Sequence, residues 1–469
     1  MNADCRVHFV GIGGIGMSGI ARMLLQLGTP VSGSDARESS IIRELRQRGA
    51  IVHVGHAPEN VHGAGQVVVS SAIKPDNPEL LEARRLGIPI VHRSKKLAEL
   101  VNSHRGIAIA GTHGKTTTSS LTASVLSTAG IVPSYVVGGI INSMADNARA
   151  GRSDWFVIEA DESDGSLVEY RAEIAILTNV ELDHTDFYRD LSHVKEVFAH
   201  YIANIKDGGL CAYCADDPVA ASLVENLTRS NVECISYGLK AGARLTARDI
   251  EFEGLGSTSQ YCLDGRPLGR RVHLAIPGLH NVQNSLAVVA AGLRVGLSFD
   301  QIAEGLELFR GVQRRFQVIG RNDQYTVVDD YAHHPSEIRA TLSAARAVHP
   351  NDRIIGIFQP HRYSRTKSLA ADFGSAFSNA DEVVITSIYG AGEEPIPDVS
   401  SELIVDSLRA NSHPSVQYID TLDGVEEYVA QRVRPHDLVI TLGAGDVWKV
   451  AQSLAHRLIP RPPQPTPAP

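Results

Sequence analysis

The stretch that decides the fold is "IAGTHGKTTTSSLTASVL", residues 109–126. An apolar strand leads into a glycine-containing loop with Lys115 and Thr116, and a helix with an apolar stripe follows. Backbone N–H groups and the helix N-terminus can bind phosphate there, while the lysine reaches the terminal phosphates and the threonine can hold Mg²⁺. Ile109 replaces the first glycine of the usual G-x-x-x-x-G-K-[ST] pattern. A plain strand-to-helix turn with a solvated lysine is the alternative, and the combination of strand, G-K-T and helix disfavours it.

A second glycine loop, "HFVGIGGIGMSGIA" (residues 8–21), also follows an apolar strand. It matches G-x-G-x-x-G, and Asp35 lies where a ribose-binding acid is expected, so the pattern alone suggests a dinucleotide. The same backbone cradle can hold any diphosphate, and an NAD-dependent dehydrogenase would leave the downstream loop unexplained. Two diphosphate-bearing ligands, one in each domain, explain both loops.

Carboxylates follow two further apolar strands. Glu159 leaves the first strand in "WFVIEADESDGS", with Asp161, Glu162 and Asp164 beyond it, and "ILTNVELDHTDFY" supplies Asp183, His184 and Asp186. Ligands of open α/β sheets collect at the carboxyl ends of strands, and Mg²⁺ prefers oxygen ligands. We therefore expect these groups to converge on the phosphate loop. Taken alone, His184 would more often be a structural histidine.

Composition narrows the class of protein. The 469 residues suggest two to four domains, and 43% hydrophobic with 21% charged residues is typical of a globular protein. A net charge of −9 without a basic block disfavours nucleic-acid binding. No apolar run reaches the roughly 18–20 residues of a membrane span, and no signal peptide is recognised. The five cysteines, including "CAYC" (residues 211–214), predict buried thiols in a reducing cytoplasm rather than a zinc or redox site.

Apolar, β-branched runs alternate with helical stretches along the whole chain, which predicts an α/β protein built on mainly parallel sheets. We predict three domains, over residues 1–104, 105–312 and 313–460, with a disordered proline-rich tail over 461–469. An insertion over about 235–280 is interpreted as antiparallel strands.

With both loops placed, the sequence closely resembles the Mur ligases over about residues 5–455. The resemblance rests on "HFVGIGGIGMSGIA", "SGSD", "SSAI", "GTHGKTTT", "EADESD", "DHTDFY", "GLHNVQNSLAV", "GVQRRF", "DDYAHHPSEI", "FQPHRYSRT" and "LGAGD". The family's own loop reads G-T-[HN]-G-K-[ST]-[ST], which accounts for the missing glycine. It implies a Rossmann-like N-terminal domain, a P-loop-type central ATPase domain with a parallel sheet, and a Rossmann-like C-terminal domain.

The resemblance also implies a role for particular residues. The UDP-sugar would be surrounded by Gly11, Gly13, Gly14, Gly16, Ser34, Asp35, Ser70 and Ser71. ATP would contact Gly111, Thr112, His113, Gly114, Lys115, Thr116, Thr117, His280, Asn281, Asn284, Arg315 and Asp330, and Mg²⁺ would be held by Thr116, Glu159 and His184. The amino acid would contact Tyr331, His333, Arg362 and Arg365. The catalytic set would be Lys115, Glu159, His184, His333, Arg362 and Arg365.

Within the family the sequence is most similar to the branch that joins L-alanine to UDP-N-acetylmuramate through an acyl phosphate, using ATP and Mg²⁺. Several sister ligases carry a carbamylated lysine where this chain has Phe198, with Lys195 out of register, so no carbamate is expected. The expected protein is a cytoplasmic monomer or weak homodimer without nucleic-acid or membrane partners. A ligase for a recycled tripeptide, a dehydrogenase and a catalytically silent nucleotide-binding regulator remain alternatives. Taken singly, "DDYAHHP" could be a capped turn and "QPHRYSR" a solvated basic loop.

Overall fold

The computed structural model describes residues 6–185, 187–227 and 231–459. Three β-sheets follow one another along the chain, each packed against helices, which confirms the α/β class and the three-domain architecture. The tail predicted over 461–469 and the candidate Asp186 lie outside the described residues. Within the described part of the chain, no helix combines the length and apolar character needed to cross a bilayer.

The first sheet has five parallel strands in the order β3-β2-β1-β4-β5. Because β1 is central, its four residues are buried, and the glycine loop leaves its carboxyl end directly into α1. The strands are β1 Val7–Val10, β2 Val31–Asp35, β3 Ile51–Val54, β4 Gln66–Val69 and β5 Ile90–His92, and the helices are α1 Ile15–Gln26, α2 Ser40–Gln47, α3 Pro78–Arg85 and α4 Arg93–Asn102.

The second sheet has eleven strands in the order β15-β14-β13-β12-β11-β10-β6-β9-β7-β8, with β16 paired to β14. Its parallel core carries the phosphate loop at the end of β6. The strands are β6 Arg105–Ala110, β7 Ser134–Ile141, β8 Asp146–Arg149, β9 Trp155–Glu159, β10 Ile174–Leu177, β11 Leu210–Cys214, β12 Glu233–Tyr237, β13 Leu245–Glu253, β14 Gly256–Leu263, β15 Arg266–Pro267 and β16 Val272–Leu274. Strands β13 to β16 pair antiparallel with one another, which confirms the antiparallel insertion predicted over about 235–280 from β13 onward. Strand β12, at its start, is instead parallel to β11 and to β13.

Helix α5 (Lys115–Thr128) is covered on nearly every side, by the sheet and by two later helices of the same domain, which explains its run of small polar residues between the apolar ones. A helix enclosed in this way needs no polar face. The other helices here are α6 Leu191–Ala203, α7 Pro218–Glu225, α8 Leu279–Val295 and α9 Phe299–Leu308. The buried α5 therefore fixes the phosphate loop that precedes it.

The third sheet has six strands in the order β17-β18-β22-β19-β20-β21, and only β17 runs antiparallel to its neighbour. The strands are β17 Gln317–Arg321, β18 Tyr325–Asp330, β19 Ile354–Phe358, β20 Glu382–Ile385, β21 Val416–Tyr418 and β22 Asp437–Leu442. The helices are α10 Pro335–Val348, α11 Tyr363–Phe373, α12 Glu402–Ala410, α13 Leu422–Ala430 and α14 Trp448–Leu458. The carboxyl ends of β18 and β19 lead to the third-domain candidate residues.

Three side chains bear on the sequence expectations. Cys211 and Cys214 lie on opposite faces of β11, in different hydrophobic clusters, and the four described cysteines are free thiols. Phe198 is fully buried on α6 among apolar residues of the core shared by the first two domains. An ionised group at that position would have to be desolvated, so this part of α6 serves packing.

Candidate active site

At two positions of the phosphate loop the backbone has a conformation that favours glycine. Gly111 has φ +138° and Gly114 has φ +83°, and Gly114 is the N-cap of α5. A Cβ added at Gly111 would lie 1.9 Å from the Thr178 hydroxyl oxygen, and one at Gly114 would lie 2.8 Å from Asn284 Oδ1. Both glycines are therefore required by conformation and by close approach.

The loop is braced by the segment that follows β10. Thr178 donates its hydroxyl to the carbonyl of His113 at 2.6 Å, and Asn179 Oδ1 accepts from the His113 N–H at 2.8 Å. The Glu181 N–H donates to the Thr112 hydroxyl at 2.8 Å. These bonds hold the loop in shape before any phosphate arrives.

Lys115 lies over the loop within a group of acids. Its Nζ donates to the carbonyls of Gly111 at 2.6 Å and Thr112 at 2.9 Å, and it lies 2.8 Å from both oxygens of Glu162. Burial lowers the pKa of Lys115, but Glu162 and Asp161 outweigh burial and raise it. The lysine is therefore a charged cation whose side chain is only 12% exposed.

Glu159 and Thr116 meet beside this lysine. The Thr116 hydroxyl donates to Glu159 Oε1 at 2.9 Å, and the Gly138 N–H donates to Oε2 at 2.6 Å. Burial raises the pKa of Glu159, although Lys115 opposes the shift. A desolvated carboxylate beside a hydroxyl oxygen is a donor set suited to a hard divalent cation such as Mg²⁺. The oxygen donors present therefore fit that ion.

His184 lies on the other side of Glu162. Its backbone has φ +51°, and its Nε2 lies 3.6 Å from Glu162 Oε1 and 3.8 Å from Asp183 Oδ2. Burial lowers the pKa of His184, and the two carboxylates outweigh burial and raise it. Glu162 thus links Lys115 and His184, so the structure brings the predicted lysine, histidine and carboxylates together.

The ATP contacts expected at His280, Asn281 and Asn284 lie at the start of α8. The Asn281 amide donates to the Pro277 carbonyl at 2.7 Å, and the Asn284 amide donates to Asn281 Oδ1 at 3.3 Å. Burial lowers the pKa of the neighbouring His280 to about 4, and Arg315 adds to the shift. The close approach of Asn284 to Gly114 places this group beside the phosphate loop.

Asp330 ends β18 in a buried turn. Its two oxygens accept from the Ala332 and Phe316 N–H groups, each at 2.7 Å, and burial raises its pKa to about 6. Arg315 lies 3.8 Å from Glu337 and 5.3 Å from the Tyr331 ring. In this arrangement Asp330 braces the backbone.

His333 is held in one tautomer. Its Nδ1 lies 2.9 Å from the Tyr331 carbonyl, to which it donates, so its Nε2 keeps a lone pair. The His333 N–H donates to Glu337 Oε2 at 3.0 Å. Burial lowers the pKa of His333 to about 4, although Glu337 opposes the shift. His333 is therefore a neutral imidazole at pH 7.

Arg365 is already paired across the boundary between the middle and third domains. Its Nε and Nη2 donate to Asp183 Oδ1 at 3.2 and 2.8 Å, and the side chains are only 7% and 9% exposed. Arg362, with φ +70° and its Nη1 4.0 Å from Glu393, lines a cleft of about 80 Å³ together with Asp183, His184 and Arg365. The cleft therefore places Arg362 and Arg365 next to His184, the histidine expected to hold Mg²⁺.

The predicted residues of the first-domain loop make hydrogen bonds within the protein. Asp35 Oδ2 accepts from the Gly13 N–H at 2.9 Å, and Ser34 donates to the buried Glu79 at 2.6 Å. Gly11 has φ +79° and Gly14 precedes α1 as its N-cap. Asp35 therefore braces the loop, and Ser34 belongs to a buried polar cluster.

The remaining candidates of the first domain lie at the end of β4 and the start of α1. Ser71 lies 3.1 Å from His92 Nε2, and Ser70, next to β4, is half-buried. Arg93 Nη1 would lie 3.1 Å from a Cβ at Gly16. Thr117 continues the first turn of α5.

Several contacting residues were missed in the sequence. Glu337 could have been found, because "HPSE" has the spacing of a capping box, which the structure contains. Asn179 follows β10, close in sequence to the expected Asp183, which is a weaker signal. Gly138 and Arg93 carry no local signal, since only the tertiary fold brings them to the site.

The comparisons with known proteins agree along the chain. Family models match residues 6–105 (Mur ligase family, catalytic domain), 109–292 (Mur ligase middle domain) and 314–445 (Mur ligase, glutamate ligase domain). The chain is similar to two proteins named UDP-N-acetylmuramate–L-alanine ligase. It is 43% identical to the one from Desulforamulus reducens, over 97% of this chain and 98% of that protein. It is 45% identical to the one from Geobacter sp. strain M21, over 97% of each chain.

Solved structures give the same result. The UDP-N-acetylmuramate-alanine ligase MurC of Thermotoga maritima matches with a TM-score of 0.79 and 30% identity over 97% of this chain and 99% of that one. A murein peptide ligase of Psychrobacter arcticus matches with a TM-score of 0.69 and 26% identity over 97% and 98%. The resemblance found in the sequence is confirmed, and the chain belongs to the Mur ligase family.

Proposed function

We propose that this chain joins L-alanine to the lactyl carboxylate of UDP-N-acetylmuramate with ATP, releasing ADP, phosphate and UDP-N-acetylmuramoyl-L-alanine, a peptidoglycan precursor. The observation that carries the proposal is the identity of 43–45%, over almost the full length, to relatives named for this activity. The cleft lined by Asp183, His184, Arg362 and Arg365 supports it, because His184 contacts Glu162 and Glu162 contacts Lys115 of the phosphate loop.

The division of labour follows the three domains. Residues 1–104 would bind the UDP-sugar, residues 105–312 ATP and metal, and residues 313–460 the amino acid. The four cysteines that the structure describes are free thiols, which supports a reducing, cytoplasmic location. We propose that the protein is a monomer or a weak homodimer.

In the first step an oxygen of the lactyl carboxylate attacks the γ-phosphorus of ATP, and ADP leaves. Phosphoryl transfer requires mainly positioning and charge neutralisation. Lys115 supplies the cation. When ATP binds, one hydrogen bond that the Lys115 ammonium makes to Glu162 would be replaced by one to a phosphate oxygen. Thr116, Glu159 and His184 would hold Mg²⁺, which when bound neutralises phosphate charge.

In the second step the amine of L-alanine attacks the acyl phosphate carbonyl. A tetrahedral intermediate collapses to the amide, and phosphate departs with the bridging oxygen. Arg362 suits the alanine carboxylate because a guanidinium binds a carboxylate in bidentate fashion. His333 offers an Nε2 lone pair to take the ammonium proton. Arg365, held by Asp183, acts as a positioning residue that keeps the third domain closed over the hydrolysable intermediate.

An ADP-release assay tests the proposal. UDP-N-acetylmuramate is supplied with ATP, Mg²⁺ and, in turn, L-alanine, glycine, L-serine or the recycled tripeptide L-alanyl-γ-D-glutamyl-meso-diaminopimelate. ADP release that requires the sugar nucleotide and is fastest with L-alanine is expected. Faster release with the tripeptide would make the chain a murein peptide ligase, as the Psychrobacter structure is named. ADP release without any sugar nucleotide would overturn the proposal.

A further inference from the structure

Three potential metal ligands from two domains meet beside the phosphate loop. His113 belongs to the loop, Glu181 follows β10, and His334 is the N-cap of α10 in the third domain. One ligand atom from each lies within 4.8 Å of the others. The group is separate from Glu159, Thr116 and His184, the residues proposed to hold Mg²⁺.

The donor atoms are aimed at one another. His113 Nε2 lies 3.5 Å and His334 Nδ1 3.9 Å from Glu181 Oε2, and the two imidazole rings have centroids 4.7 Å apart. The His334 side chain is only 7% exposed. Among the described residues, the buried Nε2 of His113 has no hydrogen-bond partner, which leaves a donor atom that a ligand could satisfy.

The surroundings orient both imidazoles. His113 Nδ1 lies 3.3 Å from Glu337 Oε1, and an ion bound at Nε2 would displace the proton of that nitrogen. The Ser336 N–H donates to His334 Nδ1 at 3.3 Å, and because an imidazole nitrogen has a single lone pair, an ion bound there would replace this long hydrogen bond. The Ser336 hydroxyl donates to Glu181 Oε2 at 2.8 Å and orients the carboxylate. Outer partners of this kind orient ligands in metal sites.

The donor types select the ion. Two imidazoles and one carboxylate are a ligand set of zinc, whereas Mg²⁺ and Ca²⁺ prefer oxygen alone. Bonds of about 2.0–2.2 Å require tetrahedral ligand atoms to lie about 3.4 Å apart, so the side chains would move together by roughly an ångström. The Glu181 side chain is 40% exposed, which leaves room for water as a fourth ligand.

We propose that His113, Glu181 and His334 form a site for a zinc-class divalent ion that bridges the middle and third domains. With the ion bound, the phosphate loop and the start of α10 are tied through metal bonds as well as through the Glu337 contact. Zinc at this site therefore holds the two domains together next to the nucleotide loop.

Zinc binding to the full-length protein tests this site, measured by titration calorimetry with zinc chloride in excess Mg²⁺ and without nucleotide. Four proteins are compared: wild type, Glu181→Gln, His334→Gln, and His53→Gln, which changes an exposed histidine of β3. Wild type and His53→Gln are expected to bind one zinc equally, and each of the other variants to bind at least about tenfold more weakly. Equal affinity in all four proteins, or no zinc binding by wild type, would overturn the proposal.

X-ray absorption spectroscopy of the zinc-loaded wild type identifies the zinc ligands and needs no variant to fold. Two imidazole nitrogens at about 2.0–2.1 Å are expected in the zinc shell. Fewer than two imidazoles would overturn the assignment. Zinc should also raise the melting temperature of wild type and of His53→Gln but not that of His334→Gln, because an ion that binds only the folded, closed form stabilises it.

Discussion

The buried ion pair between Asp183 and Arg365 predicts a large effect of Asp183→Asn. Asparagine keeps an acceptor oxygen near Arg365 Nε and Nη2 but removes the charge, which leaves a guanidinium only 7% exposed without its counter-ion. Removing one partner of a buried pair costs about 3–5 kcal/mol. Because asparagine retains the acceptor, we take the lower value of about 3 kcal/mol, which corresponds to about 100-fold in an equilibrium constant.

The lost free energy should destabilise the closed arrangement of the middle and third domains, because Asp183 lies in the middle domain and Arg365 in the third. Steady-state ADP release should show kcat/KM for L-alanine reduced by about 100-fold, while calorimetric binding of UDP-N-acetylmuramate stays within about twofold of wild type. Asp264→Asn is the matched control, since its partner Arg244 and Asp264 are 47% and 55% exposed and such pairs contribute little. A kcat/KM for Asp183→Asn within threefold of this control would refute the reasoning.

A double-mutant cycle separates the ion pair from an effect through the neighbouring His184. Arg365→Gln and the double variant complete the cycle. If the pair acts as a unit, the double variant is no worse than the poorer single variant, and the coupling energy is at least about 1.5 kcal/mol. Additive losses would contradict the pairing and assign the Asp183 effect to His184.

Three further predictions concern single groups. Lys115→Ala should lower kcat at least about 10³-fold, because the buried cation is lost from the phosphoryl-transfer site, and UDP-sugar binding by calorimetry should not change; loss of both would contradict separate sites. Arg362→Gln should raise the KM for L-alanine at least about tenfold and that for ATP much less, measured by ADP release; equal increases would argue against a carboxylate contact. Burial lowers the pKa of His280 to about 4, so between pH 6.5 and 4 the unfolded chain binds a proton at this histidine that the folded chain does not, and its contribution to stability falls as pH falls. Denaturant unfolding at pH 7 and at pH 5 measures this. The free energy of unfolding should fall less between the two pH values for His280→Gln than for wild type, by roughly 1 kcal/mol per pH unit. Equal losses in the two proteins would contradict the pKa shift.

The sequence predicted the fold well because its signals are local. The apolar run before Gly111, the glycines themselves and the helix after Lys115 form one strand-loop-helix unit, and the structure has that unit at β6 and α5. The antiparallel insertion likewise follows from short alternating strands. Such patterns depend on neighbours along the chain, so one sequence suffices to interpret them.

The site could be predicted only in part. Lys115, Glu159 and His184 were expected to meet at the carboxyl ends of strands of one parallel sheet. In the structure Lys115 and His184 both contact Glu162, and Glu159 bonds Thr116, the residue next to Lys115. The partner of Arg365 could not be foreseen, because Asp183 is 182 positions away and in another domain. Asp35 and Asp330 accept backbone N–H bonds that the sequence did not indicate, because such bonds depend on turn geometry; their contacts with ligands stay predictions.

Isotope transfer tests the central claim, the acyl phosphate, most directly. UDP-N-acetylmuramate carrying ¹⁸O in both oxygens of the lactyl carboxylate is converted with ATP and L-alanine, and the released phosphate is analysed by mass spectrometry. The account predicts one ¹⁸O in each phosphate and one in the new amide carbonyl, because the attacking carboxylate oxygen leaves with phosphorus. Phosphate without ¹⁸O would contradict it.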